Sequence, residues 1–548
     1  MTTLGNLRAA VFAAVCLLGC GGSTRGPGTL RFHNADPVTI VNDRKPIAMP
    51  DKVDPGLTEY YVREIVVEPT RRALTVGGHR LAQNVNSLGD VPDSAWFTNR
   101  TPTPEEIRKG PGSGGPDRSK PWRVTGVKVG GAAFGITIKD ALDDKYVVKF
   151  DERGFPETES AADVIVQRLT WAMGYNVPDN QVIDFKREQL VLDPKAAIKD
   201  IAGNETPMTD ADLDKYLGFG EHTNGVYRVL VSRFIDGKPL GGIDPEGVRE
   251  DDPNDKVPHE LRRDLRGQRL LWAWVNHVDL KSKNSFASYG DGKYVKWWWL
   301  DFGESLGVGA RTTGVKRLGF RRGFSFRHFM LSLATFGLYV HPWEKQQIPD
   351  YRGLGVFDAE TFEPEEWQSA FGWRPTDTAD RFDEFWAAEI LMRFTPAHVA
   401  AAVAAGRYTD QRTTDYMVKT LIERQRRIGR SAFRRVAPLT RFEAREQAGT
   451  IEICFDDLWL QHGYGLPATS RYRAISFDHA GRTLGARGAW FLTTTTRTCV
   501  SQIQPGSTHD GYTIAELEVR RGSVHVPTVL VHIARGPQGL RVVGVDRR

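Results

Sequence analysis

One closely spaced group of oxygen-bearing side chains in this sequence has the residue types needed for chemistry. Asp279 and Asn284 share the segment His277 to Asn284, and Asp301 follows Asn284 by seventeen residues. Carboxylate and amide oxygens are the ligands that Mg²⁺ and Mn²⁺ prefer. A carboxylate within hydrogen-bond reach of a hydroxyl can also accept its proton. The group could therefore bind a divalent cation beside a proton acceptor.

The order of these residues resembles the catalytic motifs of protein kinases. Segment 277–284 reads HVDLKSKN and fits H-x-D-L-K-x-x-N, and Asp301 opens the triplet Asp-Phe-Gly. The resemblance implies that Asp279 orients or accepts the proton of an acceptor hydroxyl, and that Lys281 neutralises the transferring group. It further implies that Asn284 and Asp301 hold Mg²⁺ or Mn²⁺ against ATP. The alternative interpretation is a solvated loop followed by an unrelated turn.

A lysine upstream of this group occupies the position at which kinases bind the α and β phosphates. Lys149 lies in the predicted strand Lys145 to Phe150. Its expected acidic partner lies on the next predicted helix and is either Asp163 or Glu159. Asp163 precedes Gly174 by eleven residues, a spacing similar to that of HipA-type kinases. Glu159 competes with it because glutamate is the usual residue at this position in kinases.

Three glycines come before that lysine in the sequence. Gly130, Gly131 and Gly135 lie in and directly after the turn between the first two predicted strands, where backbone amides could cover the phosphates of ATP. Their spacing is not G-x-G-x-x-G, and a plain hairpin turn explains them nearly as well.

Secondary-structure patterns supply the elements that must position these residues. We predict strands over residues 122–129, 134–139, 145–150 and 226–234 from their apolar alternation and turn boundaries. Helices are predicted over 159–173, 261–275 and 396–405 from apolar residues at three- and four-residue steps. Strands are predicted again over 451–455, 472–477, 490–495, 512–519, 528–533 and 540–545.

The resulting fold class is α+β, a bilobal protein-kinase-like fold followed by a small all-β domain. The resemblance covers Pro121 to Ala437 and is closest to atypical bacterial kinases of the HipA-type and secreted groups. The expected domains are a signal peptide (1–20), a linker with an irregular extension (21–120), an N-lobe (121–236), a helical C-lobe (237–440) and a C-terminal β domain (441–548).

The composition is that of an ordinary globular protein. The chain has 548 residues, of which 40% are hydrophobic and 26% charged. This length favours two or three folding units. A net charge of +5 is weak for so long a chain and gives no reason to expect nucleic-acid binding.

The N-terminus has the pattern of a bacterial export signal. Arg8 precedes the apolar run Ala9 to Leu18, which is too short to span a membrane as a mature helix. The run ends at Cys20 in a sequence that resembles the lipobox of bacterial lipoproteins, which implies lipid attachment at Cys20. Gly21 then favours the outer membrane, so the expected location is the outer membrane or the periplasmic face of the envelope. The alternative is an ordinary secretory signal.

The remaining cysteines form one pair. Cys16 and Cys20 belong to the predicted signal, which leaves Cys454 and Cys499 in the mature chain. In an oxidising periplasm such a pair is most simply a disulfide.

The segment after Asp301 is strongly basic. It contains Arg311, Lys316, Arg317, Arg321, Arg322 and Arg327. We expect an acidic or phosphorylated protein partner there, with a solvated basic face as the alternative.

These patterns favour an ATP- and metal-dependent phosphotransferase that acts on a protein or another hydroxyl acceptor. Nucleotide is then one partner, and the membrane is a second through the N-terminal lipid. The rivals are a pseudokinase-fold scaffold lipoprotein and a kinase-fold nucleotidyltransferase.

Overall fold

The chain forms two compact units in the computed structural model. The structure describes residues 27, 31–32, 36–53, 62, 67, 70, 79–112, 114–127, 134–199, 205–322 and 326–548. One unit is Pro37–Val436, and the other combines Met1–Asp36 with Ala437–Arg548. Helices and several sheets occur along the chain, so the predicted mixture of α and β structure is confirmed. The predicted signal peptide and Cys20 lie outside the described residues.

The strands of the unit Pro37–Val436 form two sheets. They are β1 (Trp122–Val127), β2 (Gly135–Lys139), β3 (Lys145–Phe150), β4 (Asn180–Lys186), β5 (Leu190–Lys199), β6 (Glu205–Pro207), β7 (His222–Thr223), β8 (Val226–Arg233), β9 (Lys238–Gly241), β10 (Ser285–Tyr289) and β11 (Val295–Trp299). The larger sheet has the order β4-β8-β3-β2-β1-β5-β6, with β7 paired to β8. The smaller sheet has the order β11-β10-β9.

The helices of this unit are mostly short. They are α1 (Pro104–Lys109), α2 (Glu159–Ala172), α3 (Asp210–Leu217), α4 (Arg263–Arg266), α5 (Gln268–Val275), α6 (Val308–Thr313), α7 (Phe326–Ala334), α8 (Arg374–Asp377), α9 (Arg381–Leu391), α10 (Pro396–Ala405) and α11 (Gln411–Arg434). The helix predicted over 261–275 is divided at Gly267. A Cβ atom at Gly267 would lie 2.7 Å from Trp386 Cζ3, so close packing requires glycine there.

The core of the larger sheet follows from alternation along its strands. In β1, Trp122 and Val124 are buried while the residues between them are partly exposed. Ile136, Ile138 and Val148 continue the same cluster on the neighbouring strands. Burial of this face fixes the register of β3, and therefore the direction in which Lys149 points.

The strands of the second unit form two further sheets. Its elements are β12 (Leu439–Gln447), β13 (Thr450–Asp457), α12 (Leu458–Gln461), β14 (Ser470–Phe477), β15 (Thr483–Leu484), β16 (Phe491–Leu492), β17 (Arg497–Ile503), β18 (Thr513–Arg521), β19 (Val524–Gly536) and β20 (Gly539–Arg547). One sheet has the order β12-β13-β17, and the other β15-β14-β18-β19-β20 with β16 paired to β14.

The predicted disulfide is confirmed. Cys454 on β13 lies opposite Cys499 on β17, and their sulfur atoms are 2.09 Å apart. The bond therefore links two neighbouring strands of one sheet. Among the described residues, no helix combines the length and the apolar character needed to cross a bilayer.

Candidate active site

The loop that carries Asp279 begins where α5 ends. Asn276 closes this helix in the left-handed conformation, with φ of 48°, which asparagine adopts more readily than most residues. The following residues alternate, so that Val278 and Leu280 are buried while Asp279 and Lys281 are partly exposed. The loop is thus held by its apolar residues and presents its charged ones.

The β10–β11 hairpin brings Asn284 close to the residues that precede Asp301. Ser285 pairs with Trp299 in the antiparallel register, and the Leu300 backbone amide donates a hydrogen bond to the Asn284 carbonyl at 3.1 Å. Two positions that are distant in sequence are therefore fixed at one end of the hairpin. The length of the β10–β11 hairpin therefore places Asn284 beside Leu300, the residue before Asp301.

Asp279, Lys281 and Asn284 form one hydrogen-bonded group. Lys281 Nζ lies 2.7 Å from Asp279 Oδ2. Asn284 Nδ2 donates to the same carboxylate oxygen at 2.9 Å and to the Asp279 carbonyl at 2.8 Å. Because the amide nitrogen is used in this way, Asn284 Oδ1 is the atom that could bind a cation.

Lys149 joins three separate elements of the unit. Its Nζ lies 2.6 Å from Asp301 Oδ1 and 3.5 Å from Asp163 Oδ2, so β3, α2 and the loop after β11 meet at one ammonium group. Burial by itself would lower the pKa of Lys149, but Asp301 and Asp163 outweigh it and raise that pKa above its usual value. Lys149 is therefore charged.

The structure distinguishes the two candidate partners on α2. Asp163 is buried, contacts Lys149, and accepts a hydrogen bond from Asn180 Nδ2 at 2.6 Å. Glu159 lies one turn earlier and packs against Gly303, where a Cβ atom would be 2.5 Å from its Cγ. Burial raises the pKa of Glu159 to about 8, with Asp301 adding to the rise and Lys149 opposing it. Asp163 is thus the ion-pair partner, and Glu159 is a second, half-buried acid nearby.

Asp301 has an unusual backbone conformation. Its φ of 64° lies in the left-handed region, which most non-glycine residues avoid. The next residue, Phe302, is fully buried and packs near the rings of His277 and Trp272. The buried phenyl ring and the turned backbone together direct the Asp301 carboxylate toward Lys149.

His277 belongs to the support of the site. Its Nδ1 lies 2.9 Å from Ser305 Oγ, and its ring is 4.9 Å from that of Trp272. Burial lowers the pKa of His277 to about 4. The imidazole is therefore neutral near pH 7, and it positions the loop as an uncharged group.

The sequence analysis did not identify two acids that lie near the site, Glu304 and Asp151. Burial raises the pKa of Glu304, and the carboxylates of Asp279 and Asp301 raise it further, so all three lie within one electrostatic neighbourhood. Asp151 accepts hydrogen bonds from the backbone amide and the hydroxyl of Ser160, at 2.8 and 2.6 Å, near the start of α2. An acid directly after the Asp-Phe-Gly triplet, or directly after the lysine strand, is the pattern that could have indicated them.

The predicted glycines are only partly visible. Gly135 is the first residue of β2 and pairs with Lys149 across β2 and β3, which places it beside the site. Gly130 and Gly131 lie outside the described residues.

The predicted basic segment is partly used within the fold. Arg311 pairs with Asp350 at 3.0 Å, and Arg322 makes two contacts of 3.0 Å with Asp377. Arg321 lies over the ring of Trp343 at 5.2 Å. Lys316 and Arg317 form no ion pair within the part of the chain that the structure describes, and the Arg327 side chain lies outside it.

The residues present fit the divalent cation that the motifs imply. Asn284 Oδ1 and the Asp301 carboxylate are hard oxygen donors, and Mg²⁺ in phosphate chemistry commonly has one or two such protein ligands. Within the described residues, one cluster of three close His, Cys, Asp or Glu ligand atoms occurs elsewhere, at Glu452, Cys454 and Cys499. Its cysteines are joined in the disulfide, which removes the thiolates that a metal would need.

No protein-family model matches the chain, and no curated protein matches it either. Two solved structures are similar to it, and both are kinases. The crystal structure of the Helicobacter pylori proinflammatory kinase CtkA has a TM-score of 0.30 and 10% sequence identity, with 56% of this chain and 95% of that chain covered. The crystal structure of the Golgi casein kinase has a TM-score of 0.22 and 11% identity, with coverage of 56% and 75%. At these TM-scores neither likeness carries an argument, and the distances between the site residues are the basis for a function.

Proposed function

We propose that the unit Pro37–Val436 is a kinase-like phosphotransferase that uses ATP and Mg²⁺ or Mn²⁺ to phosphorylate a protein or another hydroxyl acceptor. The observation that carries the proposal is the contact of Lys149 with both Asp163 and Asp301. This contact brings a cationic group, a buried acid and a candidate metal ligand together, in the order that the kinase motifs imply.

The cation would be held by Asp301 and by Asn284 Oδ1, and it would neutralise the charge that develops on the phosphates. Lys149 supplies a second positive charge, which is available to the α and β phosphates. Its present contact with Asp301 occupies the same ammonium group. Nucleotide binding would therefore loosen that contact while Asp163 keeps the lysine in place.

Asp279 would act on the acceptor. As the acceptor oxygen bonds to the γ-phosphorus, the bond from that phosphorus to the bridging oxygen of ADP breaks, and the hydroxyl proton passes to the Asp279 carboxylate. Lys281, at 2.7 Å from Asp279, can balance charge on the transferring group. Asn284 orients the carboxylate through its amide nitrogen.

Matched alanine variants test this division of roles. Asp301→Ala should abolish metal-dependent nucleotide binding, measured as the thermal shift that ATP and Mg²⁺ produce. Asp279→Ala should keep that binding and reduce turnover by about 10²- to 10⁴-fold. Asp291→Ala, an exposed aspartate on the same hairpin, is the control and should change neither.

The position of the label in ATP separates the rival functions. Transfer of the γ-phosphate label to the protein or to an envelope extract supports phosphotransfer. Transfer of the α-phosphate label would instead establish nucleotidyl transfer, for which the same metal ligands would serve. Absence of nucleotide binding with any divalent cation would leave a pseudokinase-fold scaffold as the function.

The location and the remaining partners belong to the same proposal. The apolar run Ala9 to Leu18, followed by Cys20, supports lipid attachment and a place at the outer membrane or the periplasmic face of the envelope. Acyl labelling that persists in Cys20→Ser would contradict the anchor. The basic segment after Asp301 is where we expect an acidic or phosphorylated protein partner, although Arg311 and Arg322 of this segment already have carboxylate partners.

A further inference from the structure

Helix α7 and the residues after it expose an apolar surface. Phe326, Phe329, Met330 and Leu333 follow the i, i+3, i+4, i+7 spacing of one helix face, and all four are exposed. The segment then continues with Phe336, which is 96% exposed, Leu338, which is 82% exposed, and the exposed Val340. We name these seven residues the apolar face. In most soluble proteins such a stripe is turned toward the core.

The opposite side of α7 packs against residues that precede and follow the helix in the sequence. His328 is buried, and its ring lies 5.4 Å from those of both His341 and Trp343. His341 stacks on Trp343 at 4.3 Å, and Arg321 lies over the same tryptophan. The apolar face is thus held outward by an aromatic cluster on its inner side.

The stretch of sequence that contains the apolar face carries charge of one sign. Between Glu304 and Glu344 the sequence contains no aspartate or glutamate. Lys316 is exposed and Arg317 is half-buried, and neither has a carboxylate partner among the described residues. A segment that exposes phenylalanine and leucine side chains, and that carries cations but no acids between Glu304 and Glu344, complements the interface of an anionic lipid bilayer.

We propose that the apolar face inserts into the headgroup region of a membrane that contains anionic lipid, with Lys316 and Arg317 at the phosphate level. The occupant is a lipid surface because apolar and cationic groups are combined in one short segment. An acidic protein would satisfy the cations, but it would leave exposed side chains as large as Phe336 and Leu338 unexplained. This contact is separate from the nucleotide chemistry and from any lipid at Cys20.

Site-mapped photolabelling tests the proposal with the full chain. The protein is mixed with vesicles that contain a photoactivatable lipid, made either of phosphatidylglycerol with phosphatidylcholine or of phosphatidylcholine alone, and labelled peptides are identified by mass spectrometry. Because the position of each label is read directly, insertion of the N-terminal segment does not obscure the result. We expect label in residues 326–340 with the phosphatidylglycerol vesicles, and roughly tenfold less with phosphatidylcholine alone.

Two variants and one control sharpen the experiment. Phe336→Ser with Leu338→Ser removes the most exposed apolar groups, and should reduce labelling of the segment by roughly tenfold or more. Lys316→Glu with Arg317→Glu should have a similar effect that weakens as salt is added. Leu142→Ser removes an exposed leucine elsewhere in the same unit and should leave the labelling unchanged.

Three results would overturn the proposal. Label confined to the N-terminal residues with phosphatidylglycerol vesicles would show that the apolar face does not insert. Equal labelling with both vesicle types would remove the anionic lipid from the explanation. Binding of a polyglutamate peptide, or of a second copy of the chain, that requires Phe336 and occurs while vesicle labelling is absent, would make the surface a protein-docking site.

Discussion

The ion pair of Lys149 and Asp163 is the residue-level feature that holds the proposed site together. Lys149 is 12% exposed and Asp163 is 1% exposed, so loss of Lys149 leaves the buried Asp163 carboxylate without the cation that it contacts. Such a loss is costly even when the pair itself contributes little net stability. The pair therefore permits a test that separates folding from catalysis.

We predict that Lys149→Met lowers the free energy of unfolding by about 3 kcal/mol, because the Asp163 carboxylate becomes a buried unpaired charge. Lys149→Met combined with Asp163→Asn should recover most of this loss, since the oxygen of the new amide can still accept the hydrogen bond from Asn180. Neither variant should transfer phosphate. Urea unfolding measures the first effect and label transfer the second. An active double variant would contradict the role of Lys149.

His277 gives a pH dependence with a definite sign. The folded chain holds the pKa of His277 at about 4, below its usual 6.5, so between these values only the unfolded chain binds the proton. The contribution of neutral His277 to the free energy of unfolding is therefore complete above pH 6.5. As the pH falls toward 4 this contribution is lost, and the free energy of unfolding decreases by about 3 kcal/mol in all.

The matched variant for this prediction is His277→Phe, which keeps an aromatic ring between Trp272 and Phe302. Its free energy of unfolding should be less dependent on pH between 6.5 and 4 than that of the unmodified chain, measured by urea titration at several pH values. Parallel curves for the two proteins would rule out His277 as the source.

At this scale the sequence predicted which residue types meet, but not how they pair. Asp163 and Glu159 lie four positions apart on α2, so both face the same side of the helix and the sequence alone favours neither. The depth of each side chain, which sheet packing determines, places Asp163 on Lys149 and Glu159 on Gly303. Asn180 was missed because its role depends on a contact across seventeen residues, between β4 and α2.

Among the elements, the turn after α2 has little room for a side chain at Gly174. Gly174 has φ of 117°, and a Cβ atom there would lie 2.6 Å from the Thr98 carbonyl oxygen and against the Phe97 ring. Gly154 also has a positive φ, of 85°, but a Cβ atom there would have no atom within 4 Å, so this position isolates the conformational cost.

We predict that Gly174→Ala lowers the free energy of unfolding by about 3 kcal/mol or more, from backbone strain together with overpacking. Gly154→Ala should cost about 1 kcal/mol, from strain alone. Chemical denaturation of both variants gives the comparison. Equal losses would mean that the contact with Thr98 and Phe97 relaxes.

The elements that were predicted well are those with a strong apolar period. Helix α2 and strands β2 and β3 match their predicted ranges closely, because the apolar residues of each recur with a regular period. Strands β12 and β17 were missed, since polar residues occupy much of their exposed surface. Helix α7 was not predicted, and its exposed stripe would not have been foreseen, because periodicity identifies an apolar face without saying what covers it.

For the whole molecule, the presence of two compact units leads us to expect that one unit responds to nucleotide and the other to reductant. ATP with Mg²⁺ should raise the melting transition of the unit Pro37–Val436, which contains Lys149 and Asp301. Reduction of the disulfide opens a loop of 45 residues and should remove about 4 kcal/mol from the other unit in the chain-entropy model.

Differential scanning calorimetry measures both effects on the full chain. Cys454→Ala with Cys499→Ala should melt as the reduced protein does and show no further shift with reductant. A single transition that moves with both nucleotide and reductant would contradict the two separate responses.

Sequence patterns did not predict which parts of the chain make up the second unit. A C-terminal β domain was predicted to begin at residue 441, whereas the unit begins at Ala437 and also includes Met1–Asp36. The Phe32 amide donates to Tyr512 Oη at 2.8 Å, and its ring lies 4.7 Å from that of His532. No local pattern reveals a contact between residues 480 positions apart.

This arrangement determines the order in which the chain can be completed as it is synthesised. Residues 31 and 32 emerge early, whereas their partners Asp510, Tyr512 and His532 emerge only after the whole of Pro37–Val436. Domains generally fold as they leave the ribosome or the export channel, so the intervening unit can fold while the β unit waits for its final strands. A chain that stops early would therefore leave Phe32 and the partial sheet exposed. Proteases and chaperones could recognise an unfinished product by this exposed apolar surface.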